Sequence, residues 1–173
     1  TLSTMSICSI EDVGAHIKAP FWFQLYVMRD RGFIERLSDR AKAANCGALM
    51  LTLDLQVLGQ RHKDLKNGLS TPPKPTLANM LNLLTKPRWC FGMLGTRRRQ
   101  FGNIVGHVQG VGDMGSLSEW TAKQFDPRLN WGDVEWIKKR WGGKLILKGI
   151  QDVEDARIAA ASGADALIVS NHG

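Results

Sequence analysis

Residues able to do chemistry recur in this 173-residue chain where apolar runs stop. Gln24 and Tyr26 fall at the end of Phe21 to Val27. Thr52 and Asp54 close the run from Ala48, Lys148 follows Ile146 and Leu147, and Ser170 and His172 follow Leu167 to Val169. An imidazole titrates near neutrality and suits the work of a general base. A carboxylate can orient such a ring and stabilise its charged form. An ammonium inside a buried strand needs a partner, because an unpaired buried charge is costly. Each residue also has a plainer reading. His172 could cap or fill a core, Asp54 could close a turn, and Lys148 could snorkel from its strand. Arg61 could belong to a basic surface run, Arg61-His62-Lys63.

The elements that must position these residues alternate. Thr1 to Ser3 reads as the end of a strand, and Ser9 to Lys18 as a short helix with Ser9 as its cap. Phe21 to Val27 is a strand. Arg31 to Asn45 is a helix with Ile34, Leu37, Ala41 and Ala44 at helical spacing, stopped by Cys46-Gly47. Ala48 to Asp54 is a strand. Trp131 to Trp141 is a helix ended by Gly142-Gly143, and Lys144 to Lys148 a strand. Asp152 caps a helix running to Ser162, and Ala166 to Ser170 is a last strand with the apolar signature of burial. Alternating strands and helices imply a parallel α/β fold. Functional groups at several strand ends suit a (β/α)8 barrel, although a doubly wound sheet alternates in the same way. No Gly-x-Gly-x-x-Gly follows a strand, which weighs against a dinucleotide-binding domain.

Composition sets limits. A hydrophobic fraction of 43% is that of a globular protein. The net charge of +7 gathers at Arg61 to Lys66 and at Arg97-Arg98-Arg99, which attract anions. Cys8, Cys46 and Cys90 offer neither a disulfide framework nor metal spacing, and fit a reducing compartment. No apolar run is long enough to span a bilayer. The stretch from Arg61 to about Asn130 breaks the rhythm. It reads as one helix, Pro75 to Leu84, followed by a Gly-, Arg- and aromatic-rich irregular segment.

Five motifs in order, Phe23-Gln24-Leu25-Tyr26, Leu51-Thr52-Leu53-Asp54, Leu58-Gly59-Gln60-Arg61, Leu147-Lys148-Gly149-Ile150 and Ser170-Asn171-His172-Gly173, resemble the FMN-dependent α-hydroxy acid dehydrogenases and oxidases. Within that family the chain looks most like the membrane-associated L-lactate dehydrogenases of bacteria. The resemblance implies a partial (β/α)8 TIM barrel, from about the end of strand 2 through strand 6, with an insert over about 62–130. It implies FMN as cofactor. His172 is then the catalytic base and Asp54 its carboxylate partner. Tyr26 and Arg61 would bind substrate. Lys148 would face the flavin N1/C2 edge, Gln24 and Thr52 the flavin ring, and Ser3 and Ser170 the flavin or its ribityl chain. Met5 stands where glycolate oxidase-like members carry a tryptophan, which implies a different pocket wall. The arginine that follows the family's His-Gly pair and the strands holding the FMN phosphate have no counterpart in residues 1–173, so the chain is expected to be a piece, inactive alone.

The implied reaction is oxidation of an L-2-hydroxy acid, foremost L-lactate, with electrons passed to a quinone or cytochrome. A soluble oxidase making peroxide and a non-catalytic membrane-binding segment are the alternatives. Residues 87–104 interleave aromatics with arginines, which suits an interfacial anchor on anionic lipid. The resemblance therefore implies a cytoplasmic enzyme held on the inner face of the cell membrane, and homo-oligomeric assembly. It implies no nucleic-acid partner.

Overall fold

Five parallel strands form one sheet in the order β1-β2-β3-β4-β5. They are β1 (Leu2–Ser3), β2 (Trp22–Tyr26), β3 (Ala48–Thr52), β4 (Lys144–Lys148) and β5 (Ala166–Ile168). The computed structural model describes residues 1–55, 62–68, 76–111, 117, 120, 121 and 123–171. Helices α1 (Ile10–His16), α2 (Arg31–Ala43), α6 (Trp131–Trp141) and α7 (Val153–Ala161) alternate with the strands. Between β3 and α6 lie α3 (His62–Lys66), α4 (Leu77–Leu84) and α5 (Pro87–Gly95). Strands that neighbour in space in their chain order, each joined by a helical crossover, form an arc of a (β/α)8 barrel.

Side chains alternate across a strand, so each strand serves two faces. Phe23, Leu25, Leu49, Leu51, Leu145 and Leu147 point to one face and are buried with Phe33, Leu37, Val134 and Ile137 of the helices. On the other face Ala48, Met50 and Ile146 form a smaller apolar cluster, with Ile168 against it. Burying each large apolar side chain contributes about 1.5–3 kcal/mol, and this two-sided burial holds the sheet in register.

The helix ends follow the residues that cap them. Ser9 and Asp12 form a reciprocal capping box at α1. Asp30 accepts from the Phe33 N–H at α2, and Asp152 from the Glu154 and Asp155 N–H groups at α7. Gly142 ends α6 at φ 68°, a left-handed position that favours glycine. Helix α2 stops earlier than Cys46-Gly47 predicts: the chain reverses at Asn45, φ 58°, one of the few side chains that tolerates this region.

Two expectations change. Helix α5 occupies a segment expected to be irregular; Pro87 starts it from the first turn, where a missing N–H does no harm. Strand β5 is shorter than Ala166 to Ser170 and is not buried. Among the described residues it pairs only with β4, and Val169 beyond it is 82% exposed. The long connection also divides. Its first part, α4 and α5, buries no residue, whereas Ile104, Val111 and Leu117 further on join the main core. It returns to the sheet through an antiparallel bridge between Met28 and Phe125.

Candidate active site

Strand register places the polar residues. Ser3 pairs with Gln24, Tyr26 with Thr52 and Thr52 with Lys148. Steps of two residues keep Gln24 and Tyr26, Met50 and Thr52, and Ile146 and Lys148 on one face of their strands. Gln24, Met50 and Ile146 share one level of that face, and Tyr26, Thr52, Lys148 and Ile168 the next level toward the carboxyl ends of the strands, so Met50 and Ile146 lie as an apolar floor below Thr52 and Lys148. Ser170 follows two residues after β5.

Two contacts tie the row together. Gln24 Nε2 donates to Thr52 Oγ1 at 3.0 Å, bridging β2 and β3. Lys148 Nζ donates to Asp54 Oδ2 at 3.2 Å and Oδ1 at 3.4 Å, bridging β4 to the end of β3. The Lys148 and Asp54 side chains are 17% and 11% exposed, so each charge relies on its neighbours. Sequence reasoning demanded a partner for Lys148 and expected a flavin edge; the described partner is Asp54. His172 and Arg61 lie outside the described residues.

Sequence reasoning missed two supporting residues. Gly149 sits at φ 102°, and a Cβ there would lie 2.5 Å from Asp54 Cγ. Only glycine combines that backbone with that approach, so Gly149 lets the carboxylate reach Lys148. The glycine was visible in the Lys148-Gly149 motif, but its neighbour was not. Thr4, fully buried, donates to the Gln24 carbonyl at 2.8 Å and accepts from the Tyr26 N–H at 3.4 Å. It fastens β2 to the end of β1.

Chemically, this is an apolar floor with a row of neutral hydrogen-bonding groups and one cation held by a carboxylate. Such a donor set fits a planar heterocycle on which negative charge develops, as it does on FMN.

The fold and this site define a flavin-type barrel with its polar groups at the carboxyl ends of parallel strands. The chain belongs to the FMN-dependent dehydrogenase family, whose model matches residues 1–173. It is 44% identical over 175 residues to an L-lactate dehydrogenase of Ectopseudomonas mendocina (strain ymp), covering 100% of this chain and 46% of that protein. The crystal structure of the monotopic membrane protein (S)-mandelate dehydrogenase superposes with a TM-score of 0.89 at 32% identity, over 99% of this chain and 45% of its own. A mandelate oxidase superposes at 0.67 with 29% identity, over 99% and 40%. The chain thus spans about half the length of the relatives it matches.

Proposed function

We propose that the full-length protein oxidises an L-2-hydroxy acid, foremost L-lactate, to the 2-oxo acid with FMN as its redox group. The observation that carries this reading is the Lys148–Asp54 pair beside the Gln24–Thr52 bridge, on one end of one face of the sheet. Gln24, Thr52 and Lys148 would hold the flavin ring, with Ser3 and Ser170 at its periphery. FMN supplies the acceptor for the two electrons that leave the substrate α-carbon. Lys148 offers its positive charge where anionic charge collects, and Asp54 keeps that ammonium in place. Tyr26 and Arg61 would hold the hydroxy acid, the guanidinium against its carboxylate. His172 would take the substrate proton, with Asp54 as its carboxylate partner.

Electrons would pass to a quinone or cytochrome at a membrane. Among the described residues no helix is long and apolar enough to cross a bilayer. Helices α4 and α5 nonetheless leave Leu77, Leu84, Phe91 and Leu94 at least 70% exposed. Lys86, Arg88 and Arg97 to Arg99 flank them, and no acidic residue occurs from Lys66 to Gly112. An apolar surface rimmed by cations suits anionic lipid headgroups. The superposition on the monotopic dehydrogenase supports contact with a membrane surface. A peripheral enzyme on the inner face of the membrane, touching it through about residues 87–104 and the exposed side chains of α4, follows from this reading.

Anaerobic addition of L-lactate to the full-length flavoprotein tests the proposal. Bleaching of the visible flavin band, with turnover that needs an artificial acceptor and yields no peroxide, is expected. Peroxide formation in air would favour the oxidase alternative. No bleaching with any 2-hydroxy acid would overturn the proposal.

A further inference from the structure

The far end of the long connection reaches back to the start of the site. Asn103 is fully buried, and its carboxamide spans the loop between β1 and α1. Its Nδ2 donates to the Ser3 carbonyl at 3.1 Å, and its Oδ1 accepts from the Ile10 N–H at 2.9 Å. Ile10 opens α1, so this N–H is one of the helix's orphan donors. Further contacts hold the loop and the start of α1. Gly102 donates its N–H to Ser6 O at 3.1 Å, and a Cβ on Gly102 would fall 2.8 Å from Ile7 O. Arg40 Nη1 donates to Asn103 O at 3.2 Å while its other nitrogens hold Glu11. Arg98 pairs with Asp12 of the α1 capping box.

Ser3 is thereby fixed at both of its oxygens. Its carbonyl accepts from Asn103 Nδ2 and from the Ser6 N–H, and its Oγ accepts from the Met5 N–H at 3.2 Å. An oxygen engaged as an acceptor from Met5 leaves the hydroxyl hydrogen for donation elsewhere. We infer that Asn103 is a positioning residue for the flavin site, acting through Ser3 from the buried far end of the connection between β3 and α6. This rests on the reading of Ser3 as a flavin contact. A helix cap alone would need only the acceptor Oδ1; the donor bond to Ser3 is the part that a cap does not explain.

Asn103→Asp separates the two roles. The aspartate keeps an acceptor for the Ile10 N–H, at a helix N-terminus and near Arg40, but cannot donate to Ser3 when ionised. In the full-length flavoprotein we expect this variant to retain FMN at a lowered unfolding midpoint, since one oxygen of the buried carboxylate faces the Ser3 carbonyl. Its flavin absorbance should shift in the same direction as that of Ser3→Ala. Its kcat should fall about tenfold with KM little changed, as for a group displaced from the transition state. If Asn103→Asp does not fold, Asn103→Ala is judged by the same spectrum and kcat-against-KM split. A shifted Ser3→Ala beside an Asn103 variant with the wild-type spectrum and kcat would overturn the positioning role alone. A Ser3→Ala enzyme identical to wild type would overturn the flavin reading of Ser3, and the positioning role with it.

Discussion

The sheet and the α4–α5 hairpin are built from the same apolar residue types and put them to opposite uses. Leu25, Leu49, Leu51, Leu145 and Leu147 are fully buried between sheet and helices. Leu77, Leu84 and Leu94 stand in solvent at helix positions that no other element covers among the described residues. The sheet needs its leucines to hold five strands in register, and the register places Thr52 beside Lys148. The hairpin contributes nothing to that core. Exposed apolar residues ringed by cations serve an interaction rather than a fold. Stability and the proposed surface binding thus fall on separate parts of one chain, and should respond to mutation separately.

The contrast is sharpest in stability. Leu147→Ala should cost about 2–5 kcal/mol, whereas Phe91→Ala should stay within about 0.5 kcal/mol of wild type. Denaturant unfolding of both variants decides. Phe91→Asp should in turn release the protein from anionic vesicles while leaving unfolding unchanged. A destabilised Phe91→Ala would place the hairpin in the fold and break the contrast. Next in size, Lys148→Met in the full-length enzyme should lower kcat about 10²–10³-fold, measured with an artificial acceptor at matched FMN content. Hairpin variants assayed the same way in detergent should keep their rate. Gly149→Ala should follow, at about 1–3 kcal/mol, since it combines a strained φ with a clash against Asp54. Its activity should fall with its stability, which a distant destabilising change would not produce.

The smallest effect concerns acid. Hydrogen bonds from Arg40 hold the Glu11 carboxyl well below its ordinary value of 4.5, at about 2. A lowered folded value means that the pair stabilises above pH 4.5 and loses this effect as pH falls through about 2. Glu11 is half exposed, so solvent screening keeps the contribution below about 1 kcal/mol. Glu11→Gln should therefore be slightly less stable than wild type at neutral pH, with the gap closing near pH 2, as followed by urea unfolding across pH.

How much of this was legible beforehand depended on the range of the interaction. Strands β2, β3 and β4 announced themselves through runs such as Phe23 to Leu25 and Leu145 to Leu147, and caps such as Ser9, Asp152 and Gly142 marked helix ends locally. The polar groups at strand ends were visible because period two and parallel order put them on one rim. Helix α5 was not: Gly92 and Gly95 depress helix propensity, and its apolar residues face no core that would impose a stripe. Nor was the exposure of β5, since an apolar run reports what a strand can bury rather than what covers it. Contacts between distant positions left no trace. Lys148 and Asp54 are 94 residues apart, and Asn103 and Ser3 are 100 apart. A lone asparagine in a Gly-rich stretch carries no pattern that predicts such a reach.

A crystal structure of the full-length protein with FMN bound would show where the flavin lies. The ring is expected over Met50 and Ile146, with Lys148 Nζ hydrogen-bonded to its N1/C2 edge while Asp54 stays within ion-pair distance of that ammonium. A flavin bound on any other surface, with the Lys148–Asp54 pair facing no part of it, would overturn the proposed site.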